Sequence, residues 1–188
     1  MSYRPITDTW ILARAKLKGG RKYYGAYPGG FPERARVLLG VNINQRVLHV
    51  CGGMARYYPY AGGFGPNDAT LDLAEETDPD HFQDARDAFP CCFGAYLIDP
   101  PYTPDDADKY APGAGKFPSA NQLVKNAIDR LEPGGRVGIL HYIWPSPPKN
   151  SRSVAAVSVL VGFNNRVRLF SVFEKLPDPP QKNPPKPA

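Results

Sequence analysis

Residues 92–103 read CFGAYLIDPPYT. The short apolar run AYLI, with a glycine before it and two prolines soon after, is the pattern of a brief buried strand. Pro100 stops it, because proline has no N–H for a sheet ladder and its φ is fixed. Such a strand delivers an acid, Asp99, and an aromatic ring, Tyr102, to a stiff segment at its carboxyl end.

The same design recurs on either side. QRVLHVCGG (45–53) is a brief apolar run handed into glycines, and ATLDLAEE (69–76) ends in Asp72 with Glu75 and Glu76 close behind. RVGILHYIW (136–144) is another buried run, ended by PSPP. Between them, SANQLVKNAIDRLEPGG (119–135) carries the clearest helix signals in the chain. Ser119 stands at the cap with Gln122 three residues on, Leu123, Ala127 and Leu131 share a face beside Val124 and Ile128, and Gly134 lies beyond the end. FPERARVLLG (31–40) predicts a shorter helix, with Pro32 near its start and Gly40 at its end.

SVAAVSVLVGF and RVRLFSVFEK, joined through Asn164-Asn165, predict an antiparallel hairpin. The tail from Pro177 is proline-rich and is expected to be extended or disordered. Strands that end in small or acidic residues, with a helix between two of them, predict an α/β fold: a mostly parallel sheet closed by that hairpin. Ligands of such sheets gather at the carboxyl ends of the strands, where the unusual residues fall.

The chain has 188 residues, which suits one domain over 1–176 burying roughly 70% of its extended surface, followed by the tail at 177–188. Within 1–176, residues 1–45 form a basic, glycine-rich lead-in with a short helix, and 46–176 form the α/β core. The net charge of +5 is segregated. Residues 1–60 hold ten Lys/Arg against two acids, 61–118 hold three against twelve, and 119–188 hold ten against four. Basic flanks around an acidic middle suit a polyanionic partner at the basic part.

ARAKLKGGRKYYGAYPGG (13–30) sets Lys16, Lys18, Arg21 and Lys22 beside tyrosines and glycines, a composition that can follow a phosphate backbone or fold over a ligand. No run is long and apolar enough for a membrane span, and the first residues lack a signal peptide's apolar stretch, so a cytoplasmic protein is expected, in the host cytoplasm if phage-encoded. Cys51, Cys91 and Cys92 have no CxxC spacing, and the three histidines have no ligand spacing, so neither a metal nor a disulfide is expected.

In this order the segments resemble the class I S-adenosylmethionine-dependent amino-methyltransferases with a DPPY signature, over roughly residues 46–142, and in size the small phage-type DNA adenine methylases. The resemblance implies a Rossmann-like class I methyltransferase sheet and S-adenosylmethionine as cofactor. VLHVCGG stands for the glycine-rich cofactor loop, which implicates His49, Cys51, Gly52 and Gly53. Asp72 would hold the ribose hydroxyls. Asp84 and Ala85, in QDARDAFP, would meet the adenine through a carboxylate and a backbone N–H. Tyr24 and Gly25, in KYYGAYP, would cup the methionine end.

LIDPPYT would be the catalytic signature, with Asp99, Pro100, Pro101 and Tyr102, and Asp99 also bordering the cofactor. LEPGGRVGIL is the helix-to-strand connection of this fold. Two departures stand out. His49 occupies a position usually acidic, in a loop with fewer alternating glycines. Only about eleven residues separate Tyr142 from Val154, so the helix before the hairpin is missing. The bare apolar sheet face this predicts would cost roughly 25 cal/mol per Å² left wet, which points to a homo-oligomer.

The chemistry fits the residue types. A base's exocyclic amine shares its lone pair with the ring and is a weak nucleophile. Asp99 and the Pro100 carbonyl can each accept one of its hydrogens, which aims the lone pair at a methyl donor, while Tyr102 stacks on an extruded base. TPDDADKYAPGAGKFP (103–118) then reads as a flap over the substrate. Lys109 and Tyr110 could touch nucleic acid there, as could Arg56 in the first loop.

Asp before the prolines resembles the adenine-N6 pattern, with DNA the favoured partner over RNA. The alternatives are an RNA guanine-N2 or adenine-N6 methyltransferase, a protein that binds or degrades S-adenosylmethionine, or a catalytically silent nucleic-acid-binding module.

Overall fold

The computed structural model describes residues 3–14, 17–20, 26–110, 117–162 and 166–178. Eight strands form one sheet: β1 (Ile6–Leu12), β2 (Val47–Val50), β3 (Ala69–Asp72), β4 (His81–Phe82), β5 (Ala95–Ile98), β6 (Arg136–His141), β7 (Ser151–Val161) and β8 (Val167–Lys175). Their spatial order is β1-β7-β8-β6-β5-β2-β3-β4. Neighbours from β4 to β6 pair in parallel, β8 runs antiparallel to both β6 and β7, and β1 lies parallel to β7 at the edge. This is the expected mostly parallel sheet with its antiparallel hairpin. The Asn164-Asn165 turn lies outside the described residues.

The central strands are apolar throughout because they are buried on both faces. In β5, Ala95 and Leu97 face one core with α1 (Phe31–Leu39), and Tyr96 and Ile98 face the other with α3 (Ala120–Arg130). Pro32 in the first turn of α1 and Gly40 at φ 70° beyond its end set its limits, as the sequence predicts. Ser119 Oγ accepts the Gln122 N–H at 3.2 Å and caps α3. The Gln122 side chain completes no capping box and donates instead to the Arg86 carbonyl.

Two elements have no counterpart in the sequence reading. β1 falls in the basic lead-in. The first half of the expected flap is a helix, α2 (Pro104–Tyr110), with the Thr103 hydroxyl accepting the Asp106 N–H. β4 is only two residues long and ends just before QDARDAFP.

The helix before the hairpin is absent, since residues 142–150 form no helix. The face left open is mixed. A shallow groove of about 600 Å³ there is lined by Thr7, Asp8, Thr9, Ala156, Ser158 and Leu169. Further along the same face, Ile11 and Val167, which the register sets on either side of Leu160, are exposed, so apolar side chains stand in water beside hydroxylated ones.

Gly138 lies within β6, where an added Cβ would come within 2.6 Å of the Phe170 ring. Gly138→Ala is therefore expected to destabilise the protein by about 1–3 kcal/mol, read as a lower urea midpoint at unchanged slope. An unchanged midpoint would show that the β6–β8 packing is loose.

Candidate active site at the carboxyl ends of the strands

β2 and β5 pair side by side, with Val50 opposite Ile98. The Asp99 N–H donates to the Val50 carbonyl at 3.1 Å, so the ladder holds the loop after β2 and the DPPY segment against each other. Cys51 turns the chain at φ 52° and Gly53 at φ 47°. Gly52 has to be glycine, because a Cβ would lie 2.7 Å from the His49 carbonyl oxygen. The Gly53 N–H donates to Asp72 Oδ2 at 2.8 Å and the Ala74 N–H to Asp72 Oδ1 at 3.0 Å, tying this loop to the end of β3.

Acids converge on this corner. Burial pushes the Cys51 thiol well up, and the charges of Asp72, Asp99 and Asp84 push it further. Asp72 is itself raised by burial, against the backbone N–H bonds it accepts. Asp84 is clamped by Arg86, whose Nε lies 3.0 and 2.9 Å from its two oxygens, and that bond holds its carboxyl below the usual range. Ala85 beside it is buried. The sequence-predicted cofactor residues Cys51, Gly52, Gly53, Asp72, Asp84 and Ala85 thus gather at the ends of β2, β3 and β4. Tyr24 and Gly25 lie outside the described residues. Tyr27 of the same segment is described, its phenol buried in the field of Asp99, Cys51, Asp68 and Asp72.

His49 lies buried in β2, next to this loop. Its Nε2 lies 3.2 Å from Asp68 Oδ2 and its Nδ1 3.3 Å from the Tyr27 hydroxyl, so both ring nitrogens have protein partners. Burial holds its pKa below the usual 6.5. Neutral at pH 7, it donates from Nε2 and accepts the Tyr27 O–H at Nδ1. Asp68 also accepts from the Arg36 guanidinium, from Val47 N at 3.0 Å and from Gly65 N at 2.7 Å. Burial alone would raise Asp68, but the bonds from His49, Arg36 and Gly65 outweigh it and hold the carboxyl down. This buried carboxylate joins α1, β2 and the long loop after β2, and the sequence reading assigned it nothing.

The DPPY segment, Asp99 to Tyr102, forms the other half of the candidate site. Pro100 is buried and Asp99 half-buried, and the Tyr102 hydroxyl donates to Asp99 Oδ1 at 2.5 Å. Burial raises the Asp99 carboxyl to about 6, although the Arg168 charge and the Tyr102 bond both pull it down. The Tyr102 ring sits 4.6 Å from Tyr142 and 5.4 Å, edge-on, from His141. The Arg168 guanidinium lies 5.4 Å over the same ring. The register explains this grouping. Leu169 pairs with His141, so Arg168, one step earlier on antiparallel β8, comes beside Tyr142 at the carboxyl end of β6.

His141, Tyr142 and Arg168 were missed. The first two could have been found as the residues ending the run RVGILHYIW. Arg168 needs the hairpin register, which the sequence does not fix.

The predicted nucleic-acid contacts divide. Lys16, Arg21 and Lys22 lie outside the described residues. Lys18 is exposed in a short turn at Lys18–Gly20. Arg56 pairs with Asp80 at 2.7 Å and Lys109 with Asp106 at 3.4 Å, so neighbouring acids already engage both. Tyr110 ends α2 near Tyr102 and Arg168. Among the described residues no group of His, Cys, Asp and Glu could hold a metal, and no helix is long and apolar enough to cross a membrane.

No protein-family model matches this sequence. No curated protein matches it either. Solved structures do. TrmN from Thermus thermophilus is 21% identical with a TM-score of 0.60, over 81% of this chain and 50% of that one. A candidate methylase from Haemophilus influenzae is 13% identical with a TM-score of 0.50, over 89% and 99%. A candidate methyltransferase, yhhF, from Escherichia coli is 12% identical with a TM-score of 0.50, over 87% and 98%. The fold is therefore the Rossmann-like class I methyltransferase fold with its C-terminal hairpin. The chain spans half the length of the TrmN chain it matches.

Two outcomes test this geometry. Asp68→Ala strands the Arg36 charge and the His49 donor in the core and is expected to cost about 3–5 kcal/mol, measured by urea denaturation; a loss below about 1 kcal/mol would remove the network's structural role. Asp99 behaves oppositely. Its folded pKa, about 6, exceeds its ordinary 3.8, so folding favours the protonated carboxyl. That contribution is complete below about pH 4 and is lost as pH rises through about 6, where the fold must bury a carboxylate. Asp99→Asn should thus raise the Tm near pH 8 and give little gain near pH 4. An equal gain at both would contradict the burial assigned to Asp99.

Proposed function

We propose that this protein transfers a methyl group from S-adenosylmethionine to an exocyclic amine of a nucleic-acid base. The observation that carries the reading is the juxtaposition, across the β2–β5 ladder, of a glycine loop ringed by Asp72, Asp84 and Asp99 with the rigid DPPY segment. S-adenosylmethionine, when bound, supplies the electrophilic sulfonium methyl. The residues present fit it. Asp72 and Asp84 offer acceptors for hydroxyls and an amine, the Cys51–Gly53 loop carries little side-chain bulk, and a net negative corner suits a sulfonium cation.

Asp99 and the Pro100 carbonyl hold the acceptor amine through its two hydrogens, and the prolines keep both oxygens fixed. The Tyr102 hydroxyl donates to one of these acceptors. An arriving amine replaces that bond and releases the ring to stack on the base. The acceptor form of Asp99 is the carboxylate, so the reaction should rise with pH through about 6.

The motif resemblance alone favours adenine N6, in DNA rather than RNA, with RNA guanine N2 the alternative. The same reading takes residues 1–176 as a single domain and the protein as a homo-oligomer. The exposed Ile11 and Val167 on the open sheet face support the oligomer, while its hydroxylated side chains lessen what burial there would gain.

Incubation with methyl-labelled S-adenosylmethionine and, separately, duplex DNA, single-stranded DNA and structured RNA tests the reading. Labelled N-methyl base is the expected product. Asp99→Ala should lower the rate by roughly 10²–10³-fold with cofactor binding retained by calorimetry. Undiminished transfer by that variant would overturn the role of Asp99. Cofactor consumed with no acceptor would favour a degrading enzyme, and nucleic-acid binding without cofactor binding a silent module.

A further inference from the structure

Two buried hydrogen-bond donors beside Tyr102 have no use in the chemistry above. His141 is only 5% exposed. Its Nδ1 accepts the Ile143 N–H at 3.2 Å, and burial keeps the ring neutral at pH 7, so Nε2 carries the proton. Nε2 has no hydrogen-bond partner among the described residues, and neither has the buried Nε of Arg168. Both side chains pack on the Tyr102 ring, whose hydroxyl is bonded to Asp99. Buried donors left unmade are costly, and here they flank the position a base would take.

We propose that Arg168 and His141 read hydrogen-bond acceptors on the same base whose amine faces Asp99, and that the pocket therefore takes an amino-oxo base, guanine or cytosine, in preference to adenine. The inference rests on the base-amine reading and supplies its substrate class. The charge balance favours a base over a phosphate. Arg168 lies in the field of Asp99, so a cation and a carboxylate stand together beside Tyr102, and an anionic group would be set against that carboxylate.

The donor pattern favours an oxo base. A guanidinium presents parallel N–H donors, which suit acceptors that lie together, such as guanine O6 and N7, or the cytosine O2 with its two lone pairs. Adenine has no exocyclic oxygen. Beside its amine it offers isolated ring nitrogens, and its N6/N7 edge alternates donor and acceptor, a pattern that suits an amide. Adenine would leave the arginine fork partly unpaired, and a site built to pair a substrate group discriminates strongly against the analogue that lacks it.

Calorimetric titration of the full chain with the 5′-monophosphates of guanosine, cytidine and adenosine decides this without any need for turnover. The guanosine or cytidine nucleotide is expected to bind at least about tenfold more tightly than the adenosine nucleotide, the discrimination of one good bidentate contact. Arg168→Met should bring the affinities together by weakening the oxo nucleotide alone. His141→Phe should do so in part, while His141→Gln, which keeps a donor, should retain most of the preference. Thermal melts confirm that each variant folds, and Arg168→Lys, which keeps the charge but loses the fork, replaces Arg168→Met if that variant does not.

Tightest binding of the adenosine nucleotide, no binding of any, or a preference untouched by both Arg168 and His141 variants would each overturn the proposal. Label transfer to guanine-, cytosine- and adenine-containing oligonucleotides is measured in parallel. Transfer to adenine alone would overturn the base preference and leave the methyltransferase reading standing. A nucleotide preference of the expected kind without transfer to any oligonucleotide would do the reverse.

Discussion

The parallel pairing of β2 with β5 is the contact on which the site depends. Its last rung, from Asp99 N–H to the Val50 carbonyl, holds the glycine loop and the DPPY segment at one edge of the sheet. The strands are only four residues each, so little of their hold comes from length. It comes from burial on both faces, where α1 and α3 seal alternate side chains of each strand. The Asp68 carboxylate adds a second constraint by fixing the long loop after β2 to α1 and to β2 itself.

Within the site, stability and chemistry pull in opposite directions. Burial makes an ionised Asp99 unfavourable, yet the carboxylate is the form that accepts an amine hydrogen. Arg168 offsets part of that cost from the far side of Tyr102, and the Tyr102 hydroxyl offsets more. Tyr102, His141 and Tyr142 form an aromatic cluster next to that carboxylate, joined to it by the Tyr102 hydroxyl.

Much of this was legible in residue order. The four central apolar runs and the α3 cap were readable because each is a local pattern: a short hydrophobic stretch, a serine three residues before an N–H, a glycine past a last turn. β1 was not, since only Trp10 and Leu12 of its seven residues are buried and its partner β7 lies far along the chain. β4 was too short to show any period. The resemblance sets His49 in the cofactor loop by its place in the motif; its partners in the protein, Asp68 and Tyr27, are brought to it by the loop and the N-terminal segment.

The sequence by itself determined the order of buried strands, the stiff acid–proline–tyrosine segment and the acids at the strand ends, because hydrophobic periodicity and backbone chemistry act over a few residues. The tertiary structure alone decided which side chains face that segment. Arg168 reaches Tyr102 only through the register of β8 on β6, and a strand shifted by one residue would turn it to the opposite face. The mixture of hydroxylated and apolar side chains on the uncovered sheet face was likewise settled only when β1 joined β7, since pairing between distant strands is set by packing across the whole core rather than by any neighbouring residue.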